Sequence, residues 1–425
     1  MNILVIGGGG REYAIIWKII RDEGNKHKIY AAPGNGGICD IADCVEIKAD
    51  EIDKLLEFAK EKEIDFTIVG PEVPLSMGIV DLFRNNDLKI FGPDKISTQI
   101  ESSKIFAKDF MNKYGIPTAD YIKFNGFETA NKYISHLNPP FVLKADGLSA
   151  GKGSFVIKYT EDAIKIAKDM LLKKSLGEAG AKIVIESFLR GEEASLLVLL
   201  DGNRYRLFLP SQDHKQVFDG DKGLNTGGMG AYAPYKGIDD ELLAKIRTDI
   251  IEKTIEGFKK EGIDYRGILY VGLMLTEKGP YVVEYNARFG DPETQALMPI
   301  LKSNLLDLLM SAADGDLGER KIEFYNKYAC CVVFASEGYP KAYEKGIEIK
   351  GLPFRDSDDK LVFHAGTKRI DGKFVTNGGR VLNAIGLGEK LDEAIENAYK
   401  ITEDVFFENM HYRTDIGEKG LKYEK

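Results

Sequence analysis

The sequence predicts an α/β multidomain protein, and three observations carry that prediction. Short apolar runs end in glycine turns and lead into helical patterns through the first hundred residues, the signature of a parallel sheet. A chain of 425 residues with 44% hydrophobic composition exceeds what one core serves. Near the C-terminus the pattern changes to hairpin signals around a single helix.

The first strand is read at Asn2 to Ile6. Gly7-Gly8-Gly9-Gly10 follows, then a helix with Ile15, Ile16 and Ile19 at helical spacing. A second strand, Lys28 to Ala32, ends at Pro33-Gly34-Asn35-Gly36-Gly37, and a third, Phe66 to Val69, ends at Gly70-Pro71. Ser102-Ser103 is placed to cap a helix bearing Phe106, Phe110 and Tyr114, stopped by Gly115 and Pro117. The boundary there gives an N-terminal domain over 1–102.

A middle unit over 103–325 follows, with a small flap subdomain at about 121–190 containing the strands Phe141 to Leu143 and Ile183 to Ile185. The tail, 326–425, reads as a smaller α+β domain. It has a hairpin turn at Asp371-Gly372, a Gly378-Gly379 turn and a helix through Leu391, Ala394, Ala398, Ile401 and Val405.

No run approaches the roughly 18 apolar residues of a spanning helix, and the first residues lack the zones of a secretory signal, so a cytoplasmic protein without a membrane partner is expected. A net charge of -9 argues against a nucleic-acid partner. The cysteines, Cys39, Cys44 and the adjacent Cys330-Cys331, form no C-x-x-C pair and are expected as reduced thiols.

The first glycine run suits a phosphate, because bare backbone approaches closely and the next helix presents free N–H groups. It does not fit G-x-G-x-x-G, since Glu12 or Tyr13 takes the third position, so a nicotinamide cofactor is disfavoured. The second glycine loop, Lys144-Ala145-Asp146-Gly147-Leu148-Ser149-Ala150-Gly151-Lys152-Gly153, has three residues between Gly147 and Gly151 and no Ser or Thr after Lys152. It is therefore not a Walker loop but suits a flap over a triphosphate, its amides and two lysines offsetting phosphate charge.

Alternation along Val283-Glu284-Tyr285-Asn286 puts Glu284 and Asn286 on one strand face, two oxygen donors suited to Mg²⁺ beside nucleotide oxygens and water. Arg288, in the charged turn Ala287 to Thr294, can clamp a carboxylate or phosphate. Ser211 to Lys215 and Asn225 to Gly230 make a polar stretch longer than a simple hairpin needs, and His214 within it is a structural hydrogen-bond centre or a general base. No G-x-S-x-G or H-E-x-x-H occurs, which disfavours triad hydrolysis and zinc catalysis.

In this order the motifs closely resemble the phosphoribosylamine–glycine ligase family, the glycinamide ribonucleotide synthetases of the ATP-grasp superfamily. The likeness runs from Asn2 to about Gly417. Its most specific pieces are Gly7 to Glu12, Pro33 to Gly37, Gly70 to Leu75, the flap, Ser211 to Lys215, Asn225 to Gly230, Glu284 to Glu293, His364 to Thr367 and Gly378 to Leu382.

The resemblance implies an N-terminal domain holding phosphoribosylamine, an ATP-grasp core and a C-terminal domain beside them. By that likeness Lys104 and Lys144, with the flap's Gly151, Lys152 and Gly153, contact ATP phosphates. Glu186 and Leu189 offer backbone groups to adenine, Glu193 holds the ribose, and Glu284 and Asn286 bind Mg²⁺ or Mn²⁺. Gly9, Gly10, Arg11, Glu12, Gly34, Asn35, Gly70, Pro71, Glu72 and Pro74 surround the ribose phosphate. Asp213, Lys215, Arg288 and Lys144 take the catalytic positions around glycine and the reacting phosphoryl group. Two departures stand out: Tyr13 where the family carries histidine, and no acid on the strand Leu269 to Met274.

The implied reaction is ATP-dependent ligation of glycine to 5-phosphoribosylamine through glycyl phosphate; a monomer is the default expectation, not one the resemblance implies. Another ATP-grasp carboxylate-amine ligase and a nonenzymatic nucleotide sensor are the alternatives.

Overall fold

A computed structural model describes residues 1–149, 151 and 153–424. The flap's Lys152 lies outside the described residues.

The N-terminal sheet is wholly parallel, in the order Asp43–Cys44, Lys28–Pro33, Asn2–Gly7, Phe66–Val69, Ile90–Phe91. Helices Gly10–Glu23 and Ile52–Glu61 are among those that connect its strands. Ile3, Leu4, Val5 and Ile6 are each 0% exposed. That is why the first strand is an unbroken apolar run: a parallel strand covered on both faces has no solvent side. The order reverses at Asn2–Gly7, and the turns at Gly7–Gly10, Pro33–Gly37 and Gly70–Pro71 leave the carboxyl ends of the central strands there, the usual ligand crevice of an open parallel sheet.

Two antiparallel sheets of four strands face the same crevice. One runs Tyr121–Phe124, Ile183–Ser187, Phe141–Ala145, Ser154–Ile157; the other Tyr205–Leu207, Glu192–Asp201, Arg266–Thr276, Gly279–Asn286. The helix Lys104–Lys113 joins this region to the first domain, and Ser103 caps it by accepting a bond from the Phe106 amide at 3.1 Å. Asp146 ties the flap to this helix start: its carboxylate accepts from Ser103 Oγ and from the Ile105 amide, both at 2.8 Å.

The tail sheet, with Tyr328–Ser336, Arg380–Gly388 and Lys360–His364, also takes in Gly230–Ala233 and Gln212–Asp213 from the middle of the chain. The residues beyond 325 therefore share hydrogen bonds with the stretch that holds Asp213. Leu391–Asp404 forms the tail helix, and Thr367–Ile370 with Lys373–Thr376 the hairpin.

One expectation is overturned. Cys39 and Cys44 are joined as a disulfide, because the short turn Ile38–Asp40 brings their Cα atoms to 5.2 Å, while Cys330 and Cys331 are free and buried. Among the described residues no helix is long and apolar enough to cross a membrane.

Candidate active site

A cleft of about 750 Å³ opens where the three sheets meet, reached by the first glycine loop, the flap and the tail. Glu12 organises its N-terminal wall, with one carboxylate oxygen accepting from the Gly9 amide at 2.6 Å and the other from Arg11 Nε at 2.6 Å. Arg11 in turn donates to the Phe289 carbonyl at 3.1 Å, across the domain boundary. A second bridge is Arg288, whose Nε lies 2.9 Å from Glu72 and whose terminal nitrogen lies 3.2 Å from Glu101. Burial opposes charge on Glu72, but Arg288 and Arg11 outweigh it and hold the carboxyl at about 2.

Of the residues expected around the ribose phosphate, Gly9, Arg11, Glu12, Pro71 and Glu72 line the cleft. Gly10, Gly34, Asn35, Gly70 and Pro74 stand behind that wall. Asn35 donates to the carbonyls of Gly8 at 3.0 Å and His364 at 3.1 Å, and its oxygen accepts from the Gly37 and Ile38 amides, so it braces the loop. A Cβ on Gly70 would stand 1.9 Å from Glu12 Oε1, and one on Gly10 would stand 2.4 Å from Asn383 Nδ2. Gly34 adopts φ 72°, and Pro74 is buried. Tyr13 is also away from the cleft, packed on Phe363 and His364 at ring separations of 5.2 and 5.7 Å.

The flap side presents Lys104, Lys144, Gly151, Gly153, Glu186, Leu189 and Glu193 to the cleft. Glu186 sits between two buried lysines, 3.0 Å from Lys108 and 3.0 Å from Lys144. Desolvation lowers Lys108 to about 8, although Glu186 pulls the other way. Glu284 lies 3.6 Å from Lys104 and 3.6 Å from Lys215. Its enclosure disfavours charge, but those lysines outweigh it and hold the carboxyl far below the usual range. Asn286 lines the same wall, its amide nitrogen donating to Glu101 Oε1 at 3.0 Å in the orientation that the carboxylate requires. Glu284 and Asn286 thus suit a hard divalent cation completed by phosphate oxygens and water. Among the described residues no group of three or more His, Cys, Asp or Glu is placed to hold a metal alone.

Asp213 and Lys215 face the cleft, and His214 between them does not. Alternation turns His214 into the protein, 1% exposed with neither ring nitrogen hydrogen-bonded, and burial followed by Arg413 lowers it to about 3. It is not placed as a general base. Desolvation and then Glu293 push Asp213 well above the carboxylate range, whereas Lys215 is raised by Glu193, Tyr270 and Glu284 against its own desolvation.

Sequence reasoning assigned no site role to Glu101, Asp291, Glu293 or Arg380, all of which line the cleft. Arg380 lies 3.1 Å from Asp291 Oδ1 and donates to the Gly227 carbonyl at 2.7 Å. Asp291, Glu293 and Arg380 lie inside motifs already singled out; Glu101 carried no signal beyond its place at a boundary.

Paired antiparallel sheets, a glycine flap between strands and an acid-amide strand beside lysines define an ATP-grasp protein. Solved structures agree: the chain matches a biotin carboxylase nucleotide complex from Campylobacter jejuni with a TM-score of 0.76 over 100% of this chain and 95% of that one, a likeness of fold alone at 15% identity.

The particular family is equally plain. Models described as the N domain, the ATP-grasp (A) domain and the C domain of phosphoribosylglycinamide synthetase match residues 1–101, 102–294 and 329–419, and the chain belongs to that family. It is 46% identical over 416 residues to a phosphoribosylamine–glycine ligase from Caldanaerobacter subterraneus, covering 98% of this chain and 99% of the relative. The crystal structure of the Thermotoga maritima phosphoribosylamine–glycine ligase superposes with a TM-score of 0.85 at 34% identity, covering 98% of this chain and 100% of that one.

Proposed function

We propose that this chain ligates glycine to 5-phosphoribosylamine with ATP, giving glycinamide ribonucleotide, ADP and phosphate in de novo purine biosynthesis. The observation that carries this reading is one cleft walled by both the glycine loops of the parallel sheet and the flap of the grasp, in a chain alike over its whole length to ligases of that name.

The apolar surfaces of Val142, Val156, Phe188 and Met274 take the adenine ring beside Leu189, and Glu193 takes the ribose hydroxyls. Lys104, Lys144 and the flap amides neutralise the phosphates, in a site where preorganised charges act at low dielectric. Glu284 and Asn286 would hold Mg²⁺ or Mn²⁺, which supplies charge neutralisation on the transferring phosphoryl oxygens. The glycine carboxylate attacks the γ-phosphate, ADP leaves, and the amine of phosphoribosylamine displaces phosphate from the resulting acyl phosphate. Glu12, Arg11 and Glu72 orient the amine substrate, while Asp213, Lys215 and Arg288 surround the reacting centre. The protein's part is to hold the partners in line and exclude water.

The test is ADP release from ATP, Mg²⁺, glycine and freshly generated phosphoribosylamine, omitting each in turn. The reading requires dependence on both glycine and the amine, and loss of turnover in Glu284→Ala. ADP release only with another acid or amine would overturn the substrates and keep the class, and no release with any acid-amine pair would overturn both.

A further inference from the structure

Asp213, Lys215, Gln216, Asn225, Thr226 and Gly227 reach the cleft from one polar excursion of the chain. At its heart is a hairpin, Gln216–Phe218 with Lys222–Asn225, whose strands pair only with each other. A two-stranded hairpin this short does not hold its own shape in water. Something outside it must, and the contacts come from the C-terminal segment 411–419.

Arg413 is the centre of that contact, 0% exposed and outside the cleft wall. Its Nε and one terminal nitrogen donate bidentately to Asp415, each at 2.7 Å, and the other terminal nitrogen donates to the Gln216 carbonyl at 3.2 Å and to Asp221 at 3.1 Å. Asp415 accepts in addition from the Gly220 amide at 2.8 Å. Thr414 donates its amide to Asp219 at 2.9 Å and its hydroxyl to the same carboxylate at 2.5 Å. His411 Nε2 lies 2.7 Å from the Val217 carbonyl, and Lys419 pairs with Asp221. Asp221 itself has φ 54°, a conformation that short polar residues keep when outside contacts fix it. Gln216, Val217, Asp219, Gly220 and Asp221 are thus all held from the tail. Gly151 lies near the far end of the excursion, where a Cβ on it would stand 3.1 Å from the Thr226 carbonyl.

We infer that Arg413 is a positioning residue for the reaction: it fixes the hairpin 216–225, and through it the register of Lys215 and Thr226 in the cleft. The inference rests on the proposed reading of that cleft. A planar fork anchored on Asp415 and reaching both a backbone carbonyl and a turn carboxylate has no equivalent in lysine, so Arg413→Lys is not conservative here.

The test compares wild type with Arg413→Lys and, in case that variant fails to fold, with Asp221→Asn and Thr414→Val, which lie nearer the surface. Titration with ADP to saturation counts folded nucleotide sites whatever the Kd, which can itself move because Lys215 lies 3.4 Å from Glu193. The expected result is turnover per ADP-binding site down at least tenfold in Arg413→Lys and several-fold in the other two. Hydrogen exchange should be faster at the amides of 216–227 and of the facing segment 411–419, and unchanged elsewhere. Unchanged turnover per ADP-binding site, or exchange that rises throughout the chain, would overturn the inference. A wild type that binds ADP yet ligates no acid to any amine would instead overturn the reading of the cleft, while the exchange result would still report whether Arg413 holds the hairpin.

Discussion

Lys144 Nζ stands 3.0 Å from Glu186 Oε1, with both side chains at 5% exposure or less, and the same nitrogen donates to the Val283 carbonyl at 3.1 Å. The pair meets as charges and not as an aligned hydrogen bond, since Glu186 Oε1 has no hydrogen-bond partner of good geometry. The carboxylate nevertheless balances two buried cations, Lys144 and Lys108. Glu186→Gln removes the nearest counter-charge from both and should cost about 3–5 kcal/mol, the usual cost of breaking a buried pair from one side. Urea denaturation gives the value, and an unchanged midpoint would show that the lysines are compensated elsewhere.

Arg288 is the bridge between the glycine loops and the grasp through Glu72 and Glu101. Arg288→Lys keeps the charge and loses the fork. We expect kcat/KM for the amine substrate to fall roughly thirtyfold, equivalent to about 2 kcal/mol for a charged hydrogen bond lost. Steady-state kinetics with the amine varied provides the check.

Gly70 leaves space that Glu12 fills, since a Cβ there would overlap Glu12 Oε1. Gly70→Ala should push Glu12 off the Gly9 amide and raise KM for the amine between about ten- and a hundredfold, the scale of a misplaced positioning group. ADP affinity, measured by calorimetry, should not move.

His214 is neutral in the folded protein, at about 3 against 6.5 for a free histidine. A folded value below the unfolded one contributes stability that is complete above about pH 6.5 and is lost as pH falls toward 3, by up to about 1.4 kcal/mol per pH unit. His214→Met should therefore flatten the acid limb of a stability–pH curve. It should also keep turnover within about threefold, whereas removal of a true general base costs roughly a hundredfold or more.

Much of this was legible from residue order. The buried strand Asn2–Gly7, the cap at Ser103, the hairpin at Asp371-Gly372 and the shared face of Glu284 and Asn286 are local consequences of apolar period, turn chemistry and alternation. Roles that depend on partners far away in the chain were not. Asn35 and Gly70 sit in motifs that look like ligand loops, yet one braces Gly8 against the tail and the other makes room for Glu12.

The sequence by itself determined the α/β class, the glycine flap, the acid-amide strand and the family, because each is written in spacing over a few tens of residues. Only the tertiary structure decided that Cys39 and Cys44 are bonded, that His214 faces inward, that Glu186 spends its side chain on two lysines, and that Gly230–Ala233 joins the tail sheet. The physical reason is the same in each case. Charge balance, burial and strand pairing are properties of neighbours in space, and residues such as Gln216 and Arg413, or Asn35 and His364, become neighbours only when the chain has closed on itself.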